Sequence, residues 1–394
     1  MSPPRTDATC RASRGPASTS TSSSPPARPS TTPPSWNSAT RTAVHLAPPR
    51  GALTAVWLIG IGRTPACHDI HQDVRMNSAR AFWEQHACLP LTLDADVTDL
   101  LRYRRAGGAY VCVNVGYAPH SRADALSYIG HFTRAIEAHP DLTLATSVAD
   151  VDAAVPDDRI VVAFDLEDSA PLEGDLDMVR VFSDLGVKSL LPSYNNGNAA
   201  GGGCLDAVDT GLTAYGRDLV RRMNEVGMLV DGSHCGTRTG LDLSAATEQP
   251  MIYSHSAMRG LWEHARNITD EQARECAATG GVIGIPGVGI FLGPNTATLD
   301  AFIAHIDYAV ELVGPEHVGI GSDHSFDAED LTAELAANPD LFPEEYTRWG
   351  VIGFVEPETT LLVERELVGR GYPEEAVCGI LGGNFRRVAA QVWK

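Results

Sequence analysis

Ile160-Val161-Val162-Ala163-Phe164-Asp165-Leu166-Glu167 is an apolar run that ends on a carboxylate. Its length and β-branched content read as a buried strand. The pattern recurs. β-type runs fall at 110–115, 187–191, 228–231, 251–254, 281–285 and 317–321, and the segment before His71 supplies the eighth and weakest. Helical patterns fill the gaps. In 211–227, Leu212, Tyr215, Leu219, Met223 and Val226 keep one face; in 298–313, Phe302, Ile306, Ala309 and Val313 do the same. Eight strands each followed by a helix predict an α/β fold of the (β/α)8 TIM-barrel type. No G-x-G-x-x-G opens a helix, which argues against a doubly wound sheet. Gly201-Gly202-Gly203 reads as a flexible turn.

In a barrel the strand C-termini converge on one face, so scattered positions become neighbours. His71 and Asp73 are two apart on an extended segment and point to one side, where one metal takes both. Asp69 has the same parity and is the rival carboxylate. Glu167 ends its run, with Asp165 and Asp168 competing. His234 follows Val230-Asp231-Gly232-Ser233, His255 follows Ile252-Tyr253-Ser254, and Asp323 follows Gly319-Ile320-Gly321-Ser322. Singly these are weak signals. A lone strand-end His is usually structural, Glu167 reads equally as a solvated loop acid, and Asp323 as a helix N-cap. Jointly, His71, Asp73, Glu167, His234 and His255 are donors suited to Zn²⁺ or a similar ion. One bridging carboxylate holds two such ions roughly 3.5–4 Å apart.

The chain resembles the membrane dipeptidase (renal dipeptidase-like) family of metallopeptidases, within the amidohydrolase-type barrels. The likeness runs from about residue 67 to the C-terminus. It rests on Asp231-Gly232-Ser233-His234, Tyr253-Ser254-His255-Ser256, His264-Ala265-Arg266-Asn267-Ile268-Thr269-Asp270 and Gly319-Ile320-Gly321-Ser322-Asp323. Gly382-Gly383-Asn384-Phe385-Arg386 also fits. The resemblance implies two Zn²⁺ per chain. His71, Asp73 and Glu167 would hold one, and Glu167, His234 and His255 the other. Arg266 would grip the substrate carboxylate and Asp323 would handle protons. The implied reaction is hydrolysis of a dipeptide, including D-residues at the second position. Metals lower the pKa of a bound water toward about 7, and the hydroxide attacks the peptide carbonyl.

Three departures stand out. The family's first motif reads Asp-Gly-His-Asn-Asp, where this chain has Asp69-Ile70-His71-Gln72-Asp73. Asp168, in place of Gly after the bridging Glu, adds charge beside the metals and is expected to alter the loop's shape. Tyr194, in Ser193-Tyr194-Asn195-Asn196-Gly197, stands where mammalian members place a His against the reacting carbonyl. A phenol still donates one hydrogen bond there, and it reads equally as a stacking residue of the pocket wall. Another amide or lactone hydrolase on the same scaffold is the rival reading, followed by a non-catalytic metal-binding homologue.

Composition narrows the partners. The chain has 394 residues and a formal net charge of −20. Residues 1–50 hold 28 Ser, Thr or Pro and six Arg against one acid, Asp7, so the rest carries 24 bases against 49 acids. Such a body repels phosphate backbones, which excludes nucleic acid. Residues 1–50 read as a disordered tail, and 51–394 as one barrel domain. The longest apolar stretch, 53–61, is too short to span a membrane. The eight cysteines form no CxxC pair, and with no secretory signal they read as free thiols of a cytoplasmic chain. Each of them, Cys88 included, reads as a small buried hydrophobe, and so does Cys235 although it follows His234 directly. The sequence leaves the oligomeric state open, a homodimer among the options.

Overall fold

The computed structural model describes residues 81–394. The expected tail at 1–50, the expected domain start at 51, and the expected strand before His71 lie outside the described residues. Within them every apolar run from 110 onward is a strand. β1 is Phe82–Cys88, β2 Ala109–Asn114, β3 Leu142–Leu144, β4 Ile160–Leu166 and β5 Val187–Leu190. β6 is Leu229–Val230, β7 Ile252–Tyr253, β8 Val282–Ile285, β9 Val318–Ile320 and β10 His324–Ser325.

All pairings between these strands are parallel. One sheet runs β10-β1-β2-β4-β5-β6, with β3 also on β4, and the other runs β7-β8-β9. A parallel bridge between Asp231 and Ile252 links the two after β6. At the other side the chain passes from β9 into β10, which pairs with β1 through Ala87 and His324. The succession is that of an α/β barrel, with helices between successive strands.

The helices form where periodicity and capping agree. Thr213 caps Ala214–Val226 by accepting from Gly216 N; Leu219, Val220, Met223 and Val226 are buried, and Gly227 ends the helix at φ 82°. Thr298 caps Leu299–Val313 in the same way. Gly321, at the end of β9, is required by close approach. A Cβ there would lie 1.9 Å from the Ser254 carbonyl oxygen, so β9 could not sit so near the end of β7 with a larger residue.

After β10 an excursion carries helices Ala328–Ala337, Glu344–Thr347 and Pro357–Thr360. It is tied to the loop after β5 by Asn195 Nδ2 donating to Leu341 O (2.9 Å) and Asn196 Nδ2 to Asp340 O (2.8 Å). Among the described residues no helix is long and apolar enough to cross a membrane.

Candidate metal centre

Glu167 follows β4, and its Oε1 is the meeting point of three imidazoles. His86 Nε2 lies 3.2 Å away, His234 Nε2 3.3 Å and His255 Nε2 3.2 Å. The other oxygen, Oε2, accepts from Asn114 Nδ2 at 2.5 Å. His86 is on β1, Asn114 ends β2, and His234 and His255 follow β6 and β7. Each strand thus delivers one side chain to the same end of the fold. His234 Nε2 and His255 Nε2 are 3.0 Å apart.

The far sides of the rings decide which nitrogen carries the proton. His86 Nδ1 faces Asp165 Oδ2 at 3.1 Å, and His234 Nδ1 faces Asn195 Oδ1 at 2.8 Å. Both partners accept, because Asn195 Oδ1 also receives Tyr346 OH at 3.2 Å. With Nδ1 donating to these acceptors, Nε2 of each ring is the atom left to take a metal ion in place of a proton. His255 Nδ1 lies 2.7 Å from Ser254 Oγ. Three imidazole Nε2 atoms gathered on one buried carboxylate oxygen form a donor set that a cation can take. His86, Glu167 and His255 make one group able to hold a metal ion, and His86, Cys88 and Asp323 make a second.

Burial and mutual charge tune these groups. Burial holds His234 down at about 3, helped by the Arg266 charge, and burial and then His86 keep His255 well below its ordinary value. Burial opposes charge on His86 too, but Asp165 and Glu167 outweigh it and raise that ring well above its ordinary value. Burial also raises the Glu167 carboxyl, yet His86, His234 and His255 pull it well below the carboxylate range. Asp323 is pushed up to about 7 by burial, partly offset by His86.

The expected residues fall as follows. Glu167, His234 and His255 come together. Asp323 stands beside them, its Oδ1 3.6 Å from His86 Nε2. It caps no helix: β10 follows it, and the next helix is capped by Asp327. His71 and Asp73 lie outside the described residues, and the strand that brings a histidine to Glu167 among the described residues is β1, with His86. Asp165, weighed as a rival ligand, orients His86. Asp168 stays within reach of the Glu167 charge. Its carboxylate accepts from Tyr194 N (2.7 Å) and Ala170 N (2.6 Å), so it shapes the loop as well as bringing a carboxyl beside Glu167. The Tyr194 ring stacks on His234 with centroids 4.0 Å apart. Arg266 is 2 % exposed, and donates Nη1 to Ser256 Oγ (2.9 Å) and Nη2 to His255 O (2.7 Å). The fork expected to face substrate thus braces the end of β7. Cys235 is buried against Ser193.

His86, Cys88, Asn114 and Asn195 were missed. Only His86 and Cys88 carried a signal, a His and a thiol two apart in Glu84-Gln85-His86-Ala87-Cys88. The cluster opens into a cleft lined by Cys88, Tyr194, His234 and Asp323 on its polar side. Leu89, Leu91, Phe291, Leu335, Phe342 and Phe354 line the apolar side, much of it from the excursion after β10.

A parallel α/β fold with imidazoles and a shared carboxylate at its strand ends defines the class: the metal-dependent hydrolases of amidohydrolase type. Residues 65–342 match the family described as Membrane dipeptidase (Peptidase family M19). The chain belongs to that family of metallopeptidases. It is 28 % identical over 375 residues to Dipeptidase aclJ of Aspergillus oryzae, covering 89 % of this chain and 82 % of that one. It is 34 % identical over 172 residues to the uncharacterized dipeptidase C965.12 of Schizosaccharomyces pombe, where it spans 42 % of this chain and 41 % of that protein. Among solved structures it is similar to an amidohydrolase from Pseudomonas aeruginosa, with TM-score 0.73, 26 % identity, and 81 % of this chain and 98 % of that one covered.

Proposed function

We propose that this chain is a zinc-dependent dipeptidase that binds two ions and hydrolyses small dipeptides, including those with a D-residue at the second position. The observation that carries the reading is the approach of three imidazole Nε2 atoms to one oxygen of Glu167. His86, Glu167, His234 and His255 would hold the ions, which when bound supply positive charge and a water of lowered pKa. Asp323, with its carboxyl near 7 and at the cleft edge, takes a proton from water and returns one to the leaving amine. Tyr194 lines the cleft beside His234, where its phenol can donate to the substrate carbonyl oxygen. Asp330 and Glu334, also in the cleft wall, offer negative charge to a dipeptide's α-ammonium.

Metal analysis of the purified protein, run alongside a panel of L,L- and L,D-dipeptides, their amides and simple lactones, tests the reading. Two zinc ions per chain and turnover confined to dipeptides are expected. No more than one ion after zinc reconstitution would refute the two-metal site. Lactone turnover above that of every dipeptide would favour the rival hydrolase. Amidated dipeptides cleaved as well as free acids would show that no group of the cleft reads the substrate carboxylate.

A further inference from the structure

We propose, resting on the metal-centre reading above, that Cys88 is a thiolate ligand of that centre. In the family motif Asp-Gly-His-Asn-Asp a carboxylate stands two residues after the histidine. Among the described residues the strand that brings a histidine to Glu167 reads Glu84-Gln85-His86-Ala87-Cys88, so a thiol stands two residues after that histidine. Residues two apart on a strand share a face, and the contacts agree. Cys88 Sγ lies 3.5 Å from His86 Nε2 and 3.6 Å from Asp323 Oδ1. These three donor atoms all lie within 4.8 Å of one another.

The surroundings set Cys88 apart from Cys276 and Cys235. Cys276 directs its thiol at Met251 O and Val282 O, and Cys235 at Ser193 O, as structural thiols do. Cys88 meets the His86 imidazole on one side and the Asp323 carboxyl on the other, and it lines the cleft that holds Glu167. On binding, the S–H proton leaves and a sulfur–metal bond replaces it, so one proton is released per thiolate formed. The softer donor should tilt the centre toward Zn²⁺, Co²⁺ and Cd²⁺ and away from Mg²⁺ and Mn²⁺.

Cobalt substitution of the full-length chain provides a readout independent of turnover. Co²⁺-loaded protein should show a near-ultraviolet thiolate-to-cobalt charge-transfer band. Cys88→Ser should lose the band and bind the ion at least about tenfold more weakly. Cys88→Asp should lose the band yet keep the visible cobalt bands, because a carboxylate restores a ligand without sulfur. Mass mapping after iodoacetamide should find Cys88 alkylated in the metal-free protein and protected in the zinc-loaded one. Cobalt bound without the charge-transfer band, or a band that survives in Cys88→Ser, overturns the thiolate assignment and leaves the metal centre standing. Equal alkylation of Cys88 with and without zinc does the same. Failure to bind cobalt at all overturns both.

Discussion

Asp165 and Asp323 are both acidic residues beside His86, on opposite sides of its ring. Asp165 Oδ2 takes the Nδ1 proton at 3.1 Å, which leaves Nε2 free to bind. Asp165→Asn can present an N–H to that nitrogen, reversing the tautomer. The expected outcome is a 10- to 100-fold weaker metal affinity, typical of such supporting partners, with an unchanged fold by circular dichroism. Metal titration checks it, and an unaltered dissociation constant would reject the orienting role. Asp323 stands on the Nε2 side, at the cleft, and is free of helix-capping duty. Asp323→Asn keeps shape but removes the proton acceptor. Turnover should fall by about 10²–10⁴ while the ion of the His86, Glu167 and His255 group stays bound. Full metal content with a loss smaller than about tenfold would sink the catalytic role.

Helix Leu299–Val313 shows how one element is pinned beneath the site. His305, fully buried on it, accepts from Met258 N at Nδ1 (3.1 Å) and faces Leu292 O with Nε2 (3.4 Å). It thereby joins the segment after β7 to the short helix Gly289–Leu292. Burial pushes this ring down from 6.5 to about 4, partly offset by the Leu292 carbonyl. Below pH 6.5 the unfolded chain binds a proton that the folded chain refuses. The stability His305 contributes is therefore complete above 6.5 and lost as pH falls through about 4. His264 and His324, also lowered to about 4 by burial, act in the same direction. The melting temperature should decline between pH 6.5 and 4, and less steeply in His305→Asn, which keeps an acceptor for Met258 N. Identical declines in the two proteins would exclude His305 as a source.

At the scale of the molecule, the donors come from β1, from the end of β4 and from the segments after β6 and β7, so a bound ion ties together strands from both sheets. An ion held at about 1,000 times its dissociation constant adds about 4 kcal/mol to the folded state. Chelation should therefore lower the melting temperature by roughly 5–10 °C. A scanning-calorimetry shift below about 1 °C would mean the donors are not bound. The sequence by itself determined the alternation of strand and helix. Runs such as Ile160–Leu166 are apolar but for Asp165 because parallel strands here are covered on both faces. It also pointed to Glu167, His234, His255 and Asp323, each just past such a run. β1 escaped because Glu84, Gln85 and His86 interrupt its apolar pattern while being fully buried, so the chemistry of the site erased the periodicity that marks a strand. Only tertiary structure decided that His86 and Cys88 join the cluster, that Asp165 orients a ring, and that Arg266 braces β7. Those roles depend on which atoms of distant strands approach within hydrogen-bonding range, a distance that local patterning does not encode.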